Sequence, residues 1–279
     1  MQIFCIFAGD MKKWCYILIA LLVAATSAQA QGNDYLTTQK AVKGDGYPFW
    51  IYVPNDYKQY ERTTPLIIFL HGASLRGTDM ESVLKYGPLD AVKRGLEIPA
   101  LIVAPQNPRG HWVPQKINDI LEWMQRHYTF NPQRVYVIGM SLGGYGTLDF
   151  AGTYPEKVAA AIALCGGSTL RNYQKLGELP LWIIHGTADK AVKVEESEKV
   201  VDGMKDLKAD SRLRYNWLRG ASHGDLARFF YLSDTYDWLF LHTLIEPRRE
   251  VDTNVEITTD ERATAYQKFK RRRTELPIK

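Results

Sequence analysis

Arg134-Val-Tyr-Val-Ile-Gly-Met-Ser141-Leu-Gly-Gly-Tyr-Gly146 reads as a short β-branched strand that runs through a G-x-S-x-G turn into a helix. The turn is so tight that only glycine tolerates the positions on either side, which Gly139 and Gly143 supply. Ser141 is then left at the sheet edge with its hydroxyl exposed. The backbone N–H of Leu142, first in the helix, points where a negative oxygen would form. Strand before and helix after make the motif far more specific than its five residues alone.

Outward from this unit, apolar runs alternate with helical stretches. Strands are expected at Phe49–Val53, Leu66–Leu70, Leu101–Ala104, Val135–Ile138, Ala159–Leu164, Leu181–Ile184 and Leu213–Trp217. Helical segments are expected near Ser82–Arg94, Ile117–Tyr128, Leu142–Thr153, Val194–Leu207 and Leu226–Leu241. Several strands are continuous apolar runs, as parallel strands covered on both faces are. The alternation predicts an α/β fold: a doubly wound, mostly parallel sheet with helices on both faces. Between the strands ending at Leu164 and starting at Leu181 there is room only for a loop or a turn of helix. A large lid is therefore not expected, and the site should be an open cleft suited to a bulky or polymer-linked substrate.

The ends of the chain read differently. Met11-Lys-Lys, the apolar run Trp14–Ala25 and Ala28-Gln-Ala30 have the order of an export signal. Residues 1–30 are read as that signal, with translation starting at Met1 or Met11 and cleavage near Ala30. This implies a secreted or periplasmic protein without a stable membrane anchor. Residues 31–246 form the expected catalytic domain, and 247–279 a polar tail or an appended helix. The 46% hydrophobic composition suffices for one large domain. Net charge is only +4 and mixed in sign, and the cluster Lys268–Arg273 reads as a solvated face or frayed tail, so no nucleic-acid partner is expected. Of the three cysteines, only Cys165 lies beyond the signal; it reads as a buried thiol at a strand end.

A serine hydroxyl is a weak nucleophile unless a histidine takes its proton and a carboxylate orients that histidine. On a strand–turn–helix nucleophile the partners follow in chain order, acid then base, each after a sheet strand. Asp189 ends Leu181-Trp-Ile-Ile-His-Gly-Thr-Ala-Asp189, and His223 follows the strand Leu213–Trp217. Six histidines compete for the base. His127 and His242 fall within helices, and His111 precedes the nucleophile. His71 and His185 each precede a glycine at a strand end and read as turn-shaping residues. Glu195 and Glu196 are better explained as residues opening a helix, and Asp225 as a helix cap. The turn Leu70-His-Gly-Ala73 aims a second oxyanion donor, the N–H of Ala73, beside that of Leu142.

The segments Pro65-Leu-Ile-Ile-Phe-Leu-His-Gly-Ala, Ala104-Pro-Gln106, Gly139-Met-Ser-Leu-Gly-Gly-Tyr-Gly-Thr, His185-Gly-Thr-Ala-Asp189 and Ser222-His223-Gly resemble the α/β-hydrolase superfamily, and within it the phospholipase/carboxylesterase-like and predicted-peptidase esterase branch. The resemblance runs from about Tyr47 to Leu241. It implies a serine hydrolase of carboxylic esters that uses no metal and no cofactor, with Ser141 as nucleophile, Asp189 as acid and His223 as base. The tail lies outside it. Trp112 and Gln106, in the loop after Leu101–Ala104, are candidates to line a substrate pocket, with Trp112 equally placed to cap the core. Arg76 and Tyr86 are further candidates. An exported enzyme with an open cleft suggests acyl or feruloyl esters of carbohydrates. A serine peptidase of the same fold and a non-catalytic binding module are the alternatives.

Overall fold

The computed structural model describes residues 34–246, 249–251, 256–265, 276 and 278 of the 279-residue chain. The expected export signal and the basic cluster Lys268–Arg273 lie outside the described residues.

Leu66–Leu70 (β3) and Val135–Met140 (β5) lie side by side and parallel, each buried along its whole length. Around them an eight-stranded sheet is built from β1 (Tyr35–Gln39), β2 (Phe49–Val53), β4 (Leu101–Pro105), β6 (Ala160–Leu164), β7 (Leu181–Gly186) and β8 (Leu213–Leu218), in the order β1-β2-β4-β3-β5-β6-β7-β8. β2 runs antiparallel to both β1 and β4, and every other neighbouring pair is parallel. This is the doubly wound, mostly parallel sheet that the alternating apolar runs predict.

Period-2 alternation gives each strand two apolar faces. Ile67, Phe69, Tyr136 and Ile138 face a core closed by α2 (Pro88–Lys93), a 3₁₀ segment (His223–Tyr231) and α6 (Ser233–Phe240). Leu66, Ile68, Leu70, Val135 and Val137 face the opposite core under α3 (Pro114–His127), α4 (Leu142–Thr153) and α5 (Glu195–Asp206). With a fully buried Leu or Ile contributing about 1.5–3 kcal/mol, these two layers hold the strand ends in place for the loops above them. A short turn, α1 (Tyr57–Tyr60), precedes β3. Among the described residues no helix is long and apolar enough to cross a membrane.

Three expectations shift. β1 was not foreseen: Tyr35-Leu-Thr-Thr-Gln is a mostly polar edge strand, joined to the sheet through β2. The helix expected over Ser82–Arg94 is two pieces, a 3₁₀ turn at Met80–Leu84 and α2, because Gly87 adopts φ 101° and Pro88 starts afresh. A side chain at Gly87 would also strike the Phe69 ring. The helix expected over Leu226–Leu241 breaks likewise at Leu232, which is extended.

Beyond residue 246, described residues contact the domain. The Arg249 guanidinium donates to the carbonyls of Val158, Ala159 and Glu178. Arg228 donates to the carbonyls of Arg262 and Ala263, docking α7 (Thr259–Thr264) on the His223–Tyr231 segment. Ile278 bridges Leu36 of β1.

The closest backbone approach lies at the strand–turn–helix. A Cβ at Gly143 would run into the Leu70 carbonyl, and one at Gly139 into the Gly143 carbonyl. Gly143→Ala is therefore expected to cost about 2–3 kcal/mol through overpacking. The reading is a lower urea midpoint at unchanged m-value; an unmoved midpoint would show that α4 does not press against β3.

Candidate active site

Four loops rise from the C-terminal ends of β3, β5, β7 and β8, the edge where an open α/β sheet places its ligands. Ser141 follows β5 at φ 58° and ψ −121°, a conformation a side chain adopts only at a cost of order 1–3 kcal/mol. The strain is imposed from both sides. The Ser141 N–H donates to the Leu164 carbonyl of β6 at 2.8 Å, and its own carbonyl accepts from Tyr145 at 3.0 Å, starting α4. Ser141, Leu142, Ala73 and His223 all line one cleft of about 760 Å³. Leu142 and Ala73 each open a helical turn, α4 and the 3₁₀ turn Ala73–Leu75, so their N–H groups have no partner within it.

Asp189 stands behind His223. The ring Nδ1–H of His223 donates to Asp189 Oδ2 at 2.7 Å, and the other carboxylate oxygen accepts from the N–H groups of Ala191 and Val192 at 2.8 and 2.9 Å. The carboxylate is fully buried while the imidazole is 28% exposed, so the pair is dry on one side and open to the cleft on the other. Burial pushes the Asp189 carboxyl up. The Val192 N–H, the His223 ring and the Ala191 N–H together outweigh it and hold the carboxyl below the usual range. His223 opens the 3₁₀ segment, whose first turn is closed by Asp225 accepting from the Ser222 N–H and hydroxyl at 2.8 and 2.7 Å. Asp225 is thus the cap that its position suggests, and Asp189 is the carboxylate on the imidazole.

Two of the buried histidines, His71 and His185, shape turns. His71 Nδ1–H donates to the Gly72 carbonyl at 2.8 Å and Nε2 accepts from the Asn107 N–H at 3.0 Å. His185 Nε2–H donates to the Val192 carbonyl at 2.9 Å, and Nδ1 meets the Ser197 hydroxyl at 2.7 Å. Burial lowers the pKa of both rings. His185 Nε2 also lies 3.4 Å from Asp189 Oδ2, the same oxygen that His223 bonds.

Trp112 and Gln106 are corrected by the structure: neither lines the cleft. Trp112 is buried against Tyr47, His71 and Gly146, and its indole N–H donates to the His71 carbonyl at 3.1 Å. Gln106 is fully buried and donates to the carbonyls of Leu75 and Asp79 at 2.9 and 3.0 Å, holding the loop that carries Ala73. An apolar interior on both sides of β4 draws the loop residues inward. The cleft wall is made instead by Tyr86, His111, Met140, Tyr145 and Val192. Of these Tyr86 was a candidate; Tyr145, one turn into α4, was legible from its spacing after Ser141. Arg76, the other candidate, is exposed beside the Ala73 turn without lining the cleft.

Among the described residues one set of His, Cys and acidic side chains is compact enough to hold a cation, Cys165 with Asp189 and His223. Burial and the Asp189 charge both push the Cys165 thiol up, so the sulfur stays protonated and is a poor ligand and a poor nucleophile. It forms a neutral wall behind the pair.

Residues 97–231 match the dienelactone hydrolase family. The chain is 25% identical over 201 residues, 66% of its length, to a bifunctional acetylxylan esterase/xylanase of Neocallimastix patriciarum, and spans 27% of that relative. A thermostable esterase of known structure superposes with TM-score 0.62 at 25% identity, over 76% of this chain and 63% of that one. A feruloyl esterase module from Clostridium thermocellum, complexed with sinapinate, superposes with TM-score 0.57 at 15% identity, over 82% and 93% of the two chains. The chain thus spans about a quarter of the curated relative and under two thirds of the esterase. Sheet order and matches together show the α/β-hydrolase fold.

Because the folded Asp189 pKa is depressed, its carboxylate stabilises the fold above the ordinary carboxylate range. That contribution is lost as pH falls through the folded value. Asp189→Asn does not titrate there, so its stability gap to wild type should narrow as pH is lowered from 7 to about 3. Urea unfolding across that range checks this; a gap of constant size would mean the carboxylate gains nothing from its donors.

Proposed function

We propose that this chain is an exported serine hydrolase of carboxylic esters that works through an acyl-enzyme. The observation that carries the reading is the buried Asp189 carboxylate bonded at 2.7 Å to an imidazole opening onto the same cleft as the strained Ser141 turn. With Nδ1–H committed to Asp189, the free Nε2 is the base. It accepts the Ser141 proton as Oγ attacks the ester carbonyl carbon, and Asp189 stabilises the imidazolium that forms.

The carbonyl oxygen gains the negative charge facing the N–H groups of Ala73 and Leu142, each of which is worth roughly 10²–10³ in kcat at such a site. Collapse of the tetrahedral adduct breaks the bond to the alcohol oxygen, which takes the proton from Nε2 and leaves. Water then enters, gives its proton to Nε2, and releases the acid from Ser141 through a second tetrahedral adduct.

The cleft supports a substrate class. An opening with a Tyr86, Tyr145, Met140 and Val192 wall, and no lid between β6 and β7, suits a flat or small acyl group on a bulky alcohol. Acetyl or feruloyl esters of carbohydrates fit that description. The acetylxylan esterase relative and the feruloyl esterase neighbour support it.

Two measurements test the reading. A fluorophosphonate probe should label wild type and leave Ser141→Ala unlabelled; equal labelling would put the nucleophile elsewhere. Asp189→Asn should lower kcat about 10⁴-fold on p-nitrophenyl acetate while the protein stays folded. Near-normal turnover would move the acid role to another carboxylate, and aminoacyl-p-nitroanilides cleaved faster than esters would reject the ester hydrolase reading.

A further inference from the structure

The Tyr86 phenol stands closer to the nucleophile than its place in the chain suggests. Its oxygen accepts from the Gly72 N–H at 2.7 Å, on the turn just before Ala73. The point where a Gly72 side chain would begin lies 2.7 Å from that oxygen and 3.4 Å from Ser141 Cβ. Phenol and nucleophile therefore share one small space, which Gly72 leaves vacant by having no side chain. The ring is held in place by edge contact with Phe69 and tilted contact with Phe230. The break at Gly87 turns it back toward β3.

The phenol's proton then needs an outlet. The Gly72 N–H and the Ser74 hydroxyl both approach the oxygen and favour its charged form, but burial outweighs them and keeps the phenol protonated. Among the described residues no carbonyl or carboxylate accepts that proton. Apart from the Ser74 hydroxyl, the remaining direction is the cleft, which Tyr86 lines together with Ala73, Ser74, Ser141 and Leu142.

We propose that the Tyr86 hydroxyl is a third donor to the oxyanion, completing a hole that the Ala73 and Leu142 N–H groups form in part. The inference rests on the ester hydrolase reading above. One hydroxyl serves two purposes: it accepts from Gly72, fixing the turn that aims Ala73, and it donates to the oxygen whose charge develops on attack. No proton is transferred, so the phenol is unchanged at the end of each turnover.

Tyr86→Phe keeps the ring contacts and removes only the oxygen. With p-nitrophenyl acetate as substrate, kcat should fall about 10- to 100-fold with KM within about twofold. The Ki of an aryl trifluoromethyl ketone, whose adduct with Ser141 places an oxyanion in the same spot, should rise by the same factor. Tyr86→His, which returns a donor on a ring, should regain part of the rate. Thermal unfolding of both variants confirms the fold; if Tyr86→Phe does not fold, Tyr86→His decides, a lowered kcat with a parallel rise in ketone Ki supporting the donor and wild-type values in both overturning it. Turnover of Tyr86→Phe within about threefold of wild type would overturn the proposal. So would a fall in kcat with an unchanged ketone Ki, which would leave the tyrosine only a turn-holding role. A wild-type protein that turns over no ester would instead reject the underlying reading, and the tyrosine's role with it.

Discussion

Ser141 sits in a left-handed backbone that β5 and α4 enforce together, and the site depends on that constraint being met by glycine on both sides. Gly139 and Gly143 let the first turn of α4 close against β3 and β5, where any side chain would meet a carbonyl. The strain of about 1–3 kcal/mol is small beside the two apolar layers that hold the strands. A loop on a less buried sheet would relax, and the Leu142 N–H would swing away from the cleft. Packing of β3, β5 and β6 is in this sense the first step of the chemistry.

The second constraint is electrostatic. A buried carboxylate is unfavourable alone, and Asp189 is kept charged by two backbone N–H groups and one imidazole. Those donors come from the loop after β7 and from the start of the 3₁₀ segment after β8, two adjacent parallel strands. The same hydrogen bond that stabilises the carboxylate fixes the tautomer of His223 and turns its free nitrogen to the cleft. His185 and Cys165 complete the enclosure as neutral walls, since burial disfavours the charged form of each.

Much of this was legible because parallel strands announce themselves. Leu66–Leu70 and Leu181–Ile184 are continuous apolar runs, and a residue just past such a run falls on one known sheet edge, which is how Ser141 and Asp189 could be placed there; β8 is half exposed, and His223 was read from chain order after Asp189. β1 was hidden because an edge strand needs no apolar run; its identity comes from pairing with β2. Trp112 and Gln106 went astray because a loop's direction depends on its partners. The carbonyls that claim their N–H groups belong to His71, Leu75 and Asp79, some thirty to forty residues earlier. Tyr86 reaches the site through Gly87, whose φ of 101° no hydrophobic period reveals, although the Gly87-Pro88 pair is a recognisable break.

The central claim is that a covalent acyl group passes through Ser141. Acid-quenching the enzyme during turnover of a slow aromatic ester, then digesting it and reading peptide masses, addresses this directly. The account predicts one acyl mass added to the peptide containing Ser141, disappearing as substrate is exhausted. Acyl mass on the Cys165 peptide, or steady turnover with no acylated peptide at all, would contradict it.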